Sequence, residues 1–531
     1  MKFVSDPPIA VKIRQMQQRV RWQDPLLLER GIDQTRLAIA DGGSEDTEFS
    51  FLVVGDSGSG QHRGHNPQRQ VAEQMLAQKE DCRFVLHTGD VIYLVGASEY
   101  YLKNFIEPYR EFLVGGERPE KIPYDRMVFN LPFLPIPGNH DYYDLPLALG
   151  LIVQATLPLR RLLQSHLDFD IGWRGSGQGK VYAQAFLDCL NRLGSPQAIA
   201  QHLDHHYTAK TETGLCLQYE PGQFTRLPNR YYTFRYGGID FFALDSNTFN
   251  APLPLPTTGE GEAYRHLLEK RRNEVEQQKQ QILATSATLK PDQPEDAEHL
   301  DDMRTKIEQL EEAKLDIEKQ LAADSTTVVD QEQLNWLKQR LLESWYTEEV
   351  RGRVIYFHHP PYVTEATKWH QGQTLAIRHR LRQVLDAVAA EIGAVGDPRK
   401  AMLRDRPLVD LVLNGHAHCL EYLRTLDTGH ADAYLNWIVC GGSGFSLRRQ
   451  RVEGPELREP IGTVMSSDEQ LVARSLLYVG RTGSGAQKRR PYSFLRIDVK
   501  EGKPPQFVIR PFVAERVQRQ WKNYAIEPFT I

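Results

Sequence analysis

Short apolar runs, each closed by a turn of glycine and polar residues, recur along the chain. FSFLVVGDSGSG starts at Phe49, RFVLHTGD at Arg83, LPFLPIPGNHD at Leu131, VIYFHHPPY at Val354 and LVDLVLNGHAHCLEY at Leu408. Runs of this length, bounded by turn residues, predict buried strands. Between the first two, QRQVAEQMLAQ places Val71, Met75 and Leu76 on one helical face, so strand, helix and strand form a βαβ unit. YTFRYGGIDFFALDSN predicts a paired hairpin, EQLNWLKQRLLES an amphipathic helix, and YLNWIVCGGSG, YSFLRIDV and PQFVIRPFV further strands. The fold class is α/β, with two sheets packed between helices.

The pattern also sets the organisation. Residues 1–48 are polar with weak helical periodicity and form an N-terminal helical extension. The core domain covers 49–515, and 516–531 is a C-terminal tail. Three inserts interrupt the core. Residues 145–228, with helical texture over 147–167 and 181–205, form a helical cap beside the GNHD turn. In 255–325, Leu268, Val275, Ile282 and Leu289 fall seven apart, as do Leu300 and Ile307, and Met303, Leu310 and Ile317. With KPDQPED as the turn, this predicts an antiparallel helical hairpin projecting from the core, and 259–322 is a candidate surface for a protein partner. Residues 447–490 are rich in Arg and Gly and predict a loop.

Composition narrows the class. Of 531 residues, 64 are Lys or Arg and 69 are Asp or Glu, a net charge of −5. That excludes a globally basic nucleic-acid coat, although Arg448-Arg449-Gln450-Arg451 and Lys488-Arg489-Arg490 leave a local nucleic-acid contact open. Five scattered cysteines form no disulfide framework. The apolar stretch Leu145–Leu159 is interrupted by prolines and too short to span a bilayer, so no transmembrane segment is expected. With no apolar leader in the first residues, the expected location is the cytoplasm.

Five strand ends carry metal-ligand types: Asp56, then Asp90 with Tyr93, then Asn139 and His140, then His358 and His359, then His416 and His418. In open α/β sheets ligands bind beyond the carboxyl ends of strands, so these turns meet at one rim. One such turn is unremarkable, but five in one chain point to a metal site. Two cations ~3.5–4 Å apart need a bridging anion, and Asp90 is the natural bridge. Asp56, Asp90 and an ionised Tyr93 bring three negative charges against five from a trivalent and a divalent metal. The positive remainder suits a phosphate ester. Ser57 has no adjacent base in the sequence and is not read as a nucleophile. Asp245 is read as a structural residue, and His62 and His65 as loop residues.

This order of motifs (GD, GDxx, GNHD, a His before Pro, GHxH) resembles the calcineurin-like metallophosphoesterase superfamily, whose fold is a four-layer α/β/β/α sandwich. Most members have Asp-x-His in the first turn. Here that turn is Asp56-Ser57-Gly58, while Asp90-Val91-Ile92-Tyr93 has the GDxxY form of purple acid phosphatases, in which a tyrosinate takes the vacant place. The resemblance implies a first metal on Asp56, Tyr93 and His418, a second on Asn139, His358 and His416, and Asp90 between them. Matching the HxP pattern to Pro360 selects His358, the ligand taken here; matching to Pro361 would select His359. The resemblance makes His140 a catalytic residue that orients phosphate and protonates the leaving group, and it matches His370 to an outer histidine. It implies Fe³⁺ on the tyrosine side with Fe²⁺, Mn²⁺ or Zn²⁺ beside it, and a metal-bound hydroxide that attacks phosphorus. The expected activity is phosphomonoester hydrolysis. A phosphodiesterase acting on a cyclic nucleotide, nucleic acid or lipid headgroup is one alternative. A non-catalytic scaffold using the hairpin is another.

Overall fold

The computed structural model describes residues 4–58, 66–145, 175–290, 293–394, 407–461, 468–483, 487–518 and 520–531. Among these, two β-sheets lie face to face with helices on both outer faces. In the seven-stranded sheet, Phe49–Val54 is central. It pairs in parallel with Cys82–His87, which pairs in parallel with Phe133–Pro135, and antiparallel with Arg489–Lys500. The eleven-stranded sheet has a parallel centre: Ile239–Ala243, Gly352–Phe357, Leu411–Asn414 and Asn436–Cys440 are successive neighbours. Parallel strands buried on both faces explain why these segments read as unbroken apolar runs.

The sheets meet through aromatic rings. Phe84 of the smaller sheet lies 5.5 Å from Phe234 and 5.3 Å from Phe241 of the larger, edge to face, and Phe51 lies 5.6 Å from Phe241. Each fully buried ring contributes roughly 1.5–3 kcal/mol. Outside, helix Pro67–Gln78 covers the smaller sheet. Gln331–Tyr346 packs with Gly372–Ala394, and its Trp336 donates to Thr35 Oγ1 at 2.9 Å. No helix among the described residues is long and apolar enough to cross a membrane.

Several sequence-based boundaries move. The N-terminal 48 residues are not a helical appendage, because Ile32–Ile39 is a strand of the larger sheet. Its alternation is broken by an irregularity between Ile32 and Leu37, which hides the period of two. In the 145–228 segment, 146–174 lie outside the described residues. The rest holds helices Lys180–Phe186 and Pro196–His206, and also strands Ala209–Thr211 and Gly214–Tyr219, so it is not wholly helical. Residues 447–490 are not a loop: Glu456–Pro460 and Glu469–Val479 extend the larger sheet. The C-terminal residues are not a tail, since Gln520–Ala525 and Phe529–Thr530 pair with Gln506–Val517. These last strands sit at a sheet margin and are half exposed, so polar residues fill them.

Residues 255–325 form helices Gly259–Ser286 and Pro294–Ala322, packed against each other. The hairpin does not project. Its second helix lies across the rim where the strand ends converge. Asp316 accepts from the N–H groups of Gly372 and Gln373, Thr305 Oγ1 meets Ser446 Oγ at 2.9 Å, and Lys319 pairs with Asp6 at 2.6 Å. Asp302 pairs with Lys488 and Arg481. Polar interlocks of this kind leave no hydrophobic signature in the sequence beyond the heptad line.

Candidate metal centre

The strand ends converge as tight turns. Asp56, Asp90 and His416 all have left-handed backbone, with φ of 52°, 55° and 64°. Non-glycine residues in this region carry strain, and three in one cluster mark a place where loop geometry is imposed by the fold. The glycines beside them provide room. A Cβ on Gly138 would lie 2.1 Å from Asp90 Oδ1, and one on Gly415 would lie 2.6 Å from Asp56 Oδ2.

All seven candidate ligands are buried. Tyr93 Oη bonds to Asp56 Oδ1 at 2.8 Å and to Asp90 Oδ2 at 2.7 Å, and lies 3.2 Å from His418 Nε2. His358 Nε2 lies 3.2 Å from Asp90 Oδ2 and 2.9 Å from Asn139 Oδ1. His416 donates its backbone N–H to Asp56 Oδ2 at 2.9 Å, which joins turns 360 residues apart. Ligating atoms of Asp90, His358 and His416 all lie within 4.8 Å of one another. The turns thus form two donor sets, Asp56, Tyr93 and His418 on one side and Asn139, His358 and His416 on the other, with Asp90 in both.

Backbone carbonyls fix the imidazoles. Nδ1 of His358 donates to Thr88 O at 2.8 Å, Nδ1 of His418 to Ser446 O at 3.0 Å, and Nδ1 of His140 to Leu94 O at 2.6 Å. Each ring therefore presents Nε2 inward, the arrangement that suits metal ligation. For His358 this aims a lone pair at two oxygen acceptors, which is tolerable only with a proton or a cation between them.

The electrostatics point the same way. Burial, with the Asp90 charge adding to it, pushes the Asp56 carboxyl well above the usual range against the pull of His358. Burial and the charges of Asp56 and Asp90 push the Tyr93 phenol well up. Burial opposes ionisation of Asp90 as well, but His358 and His140 beside it hold its carboxyl well below the usual range. His358 rises to about 9 because the attraction of Asp90 outweighs burial. Burial keeps His416 and His418 neutral, with their values far below normal. Two carboxylates and a phenol share a dry site, and bound cations would relieve that repulsion. The residues fit a pair of metal ions.

The remaining residues divide. His140 donates its backbone N–H to Asp90 Oδ1 at 2.8 Å, and its ring packs on Tyr93 with centroids 4.1 Å apart. His359 turns away, with Nδ1 on Ser246 Oγ at 2.8 Å and Nε2 near Asn250. His370 does not join the site: its side chain is exposed and its ring neighbour is Trp369. Two positions earlier, Lys368 does join, with Nζ 2.9 Å from His416 Nε2 and in contact with Glu312 of the overlying helix. Sequence spacing carried no signal for Lys368 or Glu312, because a helix from a separate insert brings them together. Ser57 meets His87 Nε2 at 2.8 Å, but His87 Nδ1 accepts from Gly89 N–H. Nε2 therefore carries the proton and donates to Ser57, so it cannot act as its base. Asp245 accepts from Tyr142 and Arg230, a structural role. His62 and His65 lie outside the described residues.

Residues 49–275 match the family model of calcineurin-like phosphoesterases. Over this stretch the chain is similar to that family. The match includes Asp56, Asp90, Tyr93 and Asn139 and stops before His358, His416 and His418, which the phosphoesterase fold brings back by geometry. Among solved structures, a purple acid phosphatase from yellow lupin (Lupinus luteus) seeds is similar at 12% identity and TM-score 0.41, over 92% of this chain and 54% of that one. This chain thus spans about half the length of the lupin protein. GAP50, the anchor in the inner membrane complex of Plasmodium, is similar at 11% identity and TM-score 0.36, over 90% of this chain and 88% of that one. PhoD is similar at 13% identity and TM-score 0.33, over 91% and 72%. No curated protein matches the sequence.

Proposed function

We propose that this chain is a dinuclear metal-dependent phosphomonoesterase of the purple acid phosphatase type. The observation that carries the reading is the Asp90 carboxylate, shared between the Tyr93 side and the His358 side of one buried centre. Asp56, Tyr93 and His418 would hold one ion, and Asn139, His358 and His416 the other. The tyrosine favours Fe³⁺ in the first position, with Fe²⁺, Mn²⁺ or Zn²⁺ in the second. When bound, such a pair polarises the phosphoryl oxygens and activates the attacking water.

The chain's own residues do the rest. Leu94 O and the Tyr93 ring lock His140, leaving its Nε2 to protonate the leaving oxygen. The overlying helix excludes bulk water, which strengthens each charge interaction within. A monoester is favoured over a diester because the cavity beside His140 is small, about 50 Å³. The basic runs that could meet a polyanion are engaged elsewhere: Arg448 donates to Thr305 O, Lys488 pairs with Asp302 and Arg489 with Glu515. A cytoplasmic location is part of the proposal, supported by five free cysteines.

The test is phosphate release from monoesters and diesters by protein loaded with iron, manganese or zinc, with metal content measured in parallel. Asp90→Ala should lose both ions and drop turnover on the order of 10³-fold or more. Retained activity in that variant refutes the two-metal reading. With iron bound, a visible tyrosinate band should vanish in Tyr93→Phe. A colourless, iron-free, active enzyme would move the assignment to manganese or zinc.

A further inference from the structure

Beside His140 the overlying helix forms one wall of a cavity of about 50 Å³. Leu94, Tyr143, Phe445, Ile307 and Leu315 give it a largely apolar wall, and His140, His418, Arg448 and the carboxylates of Glu308, Glu311 and Glu312 supply polar groups. Glu308 stands out. Its side chain is only 7% exposed, and Oε1 accepts from Arg304 at 3.0 Å. Oε2 has no partner. A buried carboxylate oxygen left unpaired keeps its full desolvation penalty unless something binds it.

We infer that this cavity receives the leaving group of the substrate, that the substrates are phosphomonoesters of small hydroxyl-bearing alcohols, and that Glu308 is the hydrogen-bond partner of that hydroxyl. The inference rests on the phosphomonoesterase reading above. Size sets the first limit: the volume is roughly a third of the ~150 Å³ that holds a benzene ring. A two- or three-carbon chain fits, whereas a naphthyl group, a nucleoside or a polymer does not. Polarity sets the second limit. Burial raises the Glu308 carboxyl, and a hydroxyl can pair with it whether or not it is ionised. An ammonium group would face Arg448 on the cavity wall and Arg304 behind Glu308, while the Glu311 and Glu312 carboxylates on that wall are already paired with Lys279 and Lys368.

The experiment compares 2-hydroxyethyl, n-propyl and 1-naphthyl phosphate as substrates of metal-loaded enzyme. It also measures binding of 2-hydroxyethylphosphonate and propylphosphonate by calorimetry. The hydroxyethyl ester should exceed the propyl ester about tenfold in kcat/KM, the worth of one hydrogen bond. The phosphonates should differ in affinity by a similar factor, and the naphthyl ester should be the poorest substrate. Glu308→Ala should erase the hydroxyl preference with metal content unchanged. The double variant Glu308→Ala, Arg304→Met strands no buried charge and should do the same. Leu315→Ala should raise naphthyl turnover. Equal turnover of hydroxyethyl and propyl esters, a preference that survives in both Glu308 variants, or naphthyl phosphate as the best substrate would overturn the inference. If no ester is hydrolysed with both metals bound, the hydrolase reading fails instead, and the phosphonate affinities still decide the role of Glu308.

Discussion

Lys368 Nζ lies 2.9 Å from His416 Nε2, and both groups are buried beneath the helix that carries Glu312. The lysine donates to the lone pair that a second metal would need, so ion and ammonium compete for one nitrogen. Glu312 offsets the charge but does not free the lone pair. Lys368→Met should therefore tighten binding of the second metal equivalent about tenfold, as read by calorimetric titration. An unchanged affinity would place the ligating lone pair on Nδ1 instead.

Gly138 touches the Asp90 carboxylate. An added Cβ would sit 2.1 Å from Asp90 Oδ1, far inside contact distance, so Asp90 must move. Gly138→Ala should cost about 1–3 kcal/mol of stability, the usual range for overpacking. It should also lower the bound metal from two equivalents toward one. Elemental analysis and a thermal melt together check this, and a variant with full metal content would show that the turn can relax.

His370 is exposed on the segment that carries Lys368. Replacing it with Ala should leave kcat and KM within about twofold of wild type, as for most surface positions. A large loss of kcat would restore it to the catalytic machinery.

Glu421 makes stability depend on pH. It is buried and accepts the Thr364 N–H at 3.0 Å, and burial pushes its carboxyl up to about 7. An unfolded chain releases that proton near the ordinary carboxylate value of about 4.3. Between these values the native state holds more protons than the unfolded one, so stability falls as pH rises through this window, by about 4 kcal/mol at most. Glu421→Gln stays neutral. Its melting temperature relative to wild type should rise between pH 4.5 and 7 and then level off. A difference independent of pH would reject the assignment.

The sequence carried the site further than it carried the architecture. Asp56, Asp90, Asn139, His358 and His416 follow buried parallel strands, and the apolar runs that form those strands also fix where their ends point. Tyr93 was legible because it stands three residues from Asp90 where the first turn lacks a histidine. Ile32–Ile39 and Glu469–Val479 were not legible, because half-exposed strands with irregular register lose their alternation. The overlying helix was visible as a heptad line, but its position was not: Asp302, Thr305, Asp316 and Lys319 hold it through polar contacts to distant segments. His370 draws attention because a histidine advertises chemistry in a sequence, whereas Lys368, a lysine in a loop, looks like solvent-facing charge.

The helix above the metal centre is tied to Asp6 at one end of the chain and to Arg481 and Lys488 near the other. During synthesis Asp6 emerges early, but the partners of Asp302 emerge only among the closing strands. The last of the five turns, at His416 and His418, precedes those partners in the chain, so the rim is complete before the helix can be pinned over it. An ion entering during that interval would meet no covering helix.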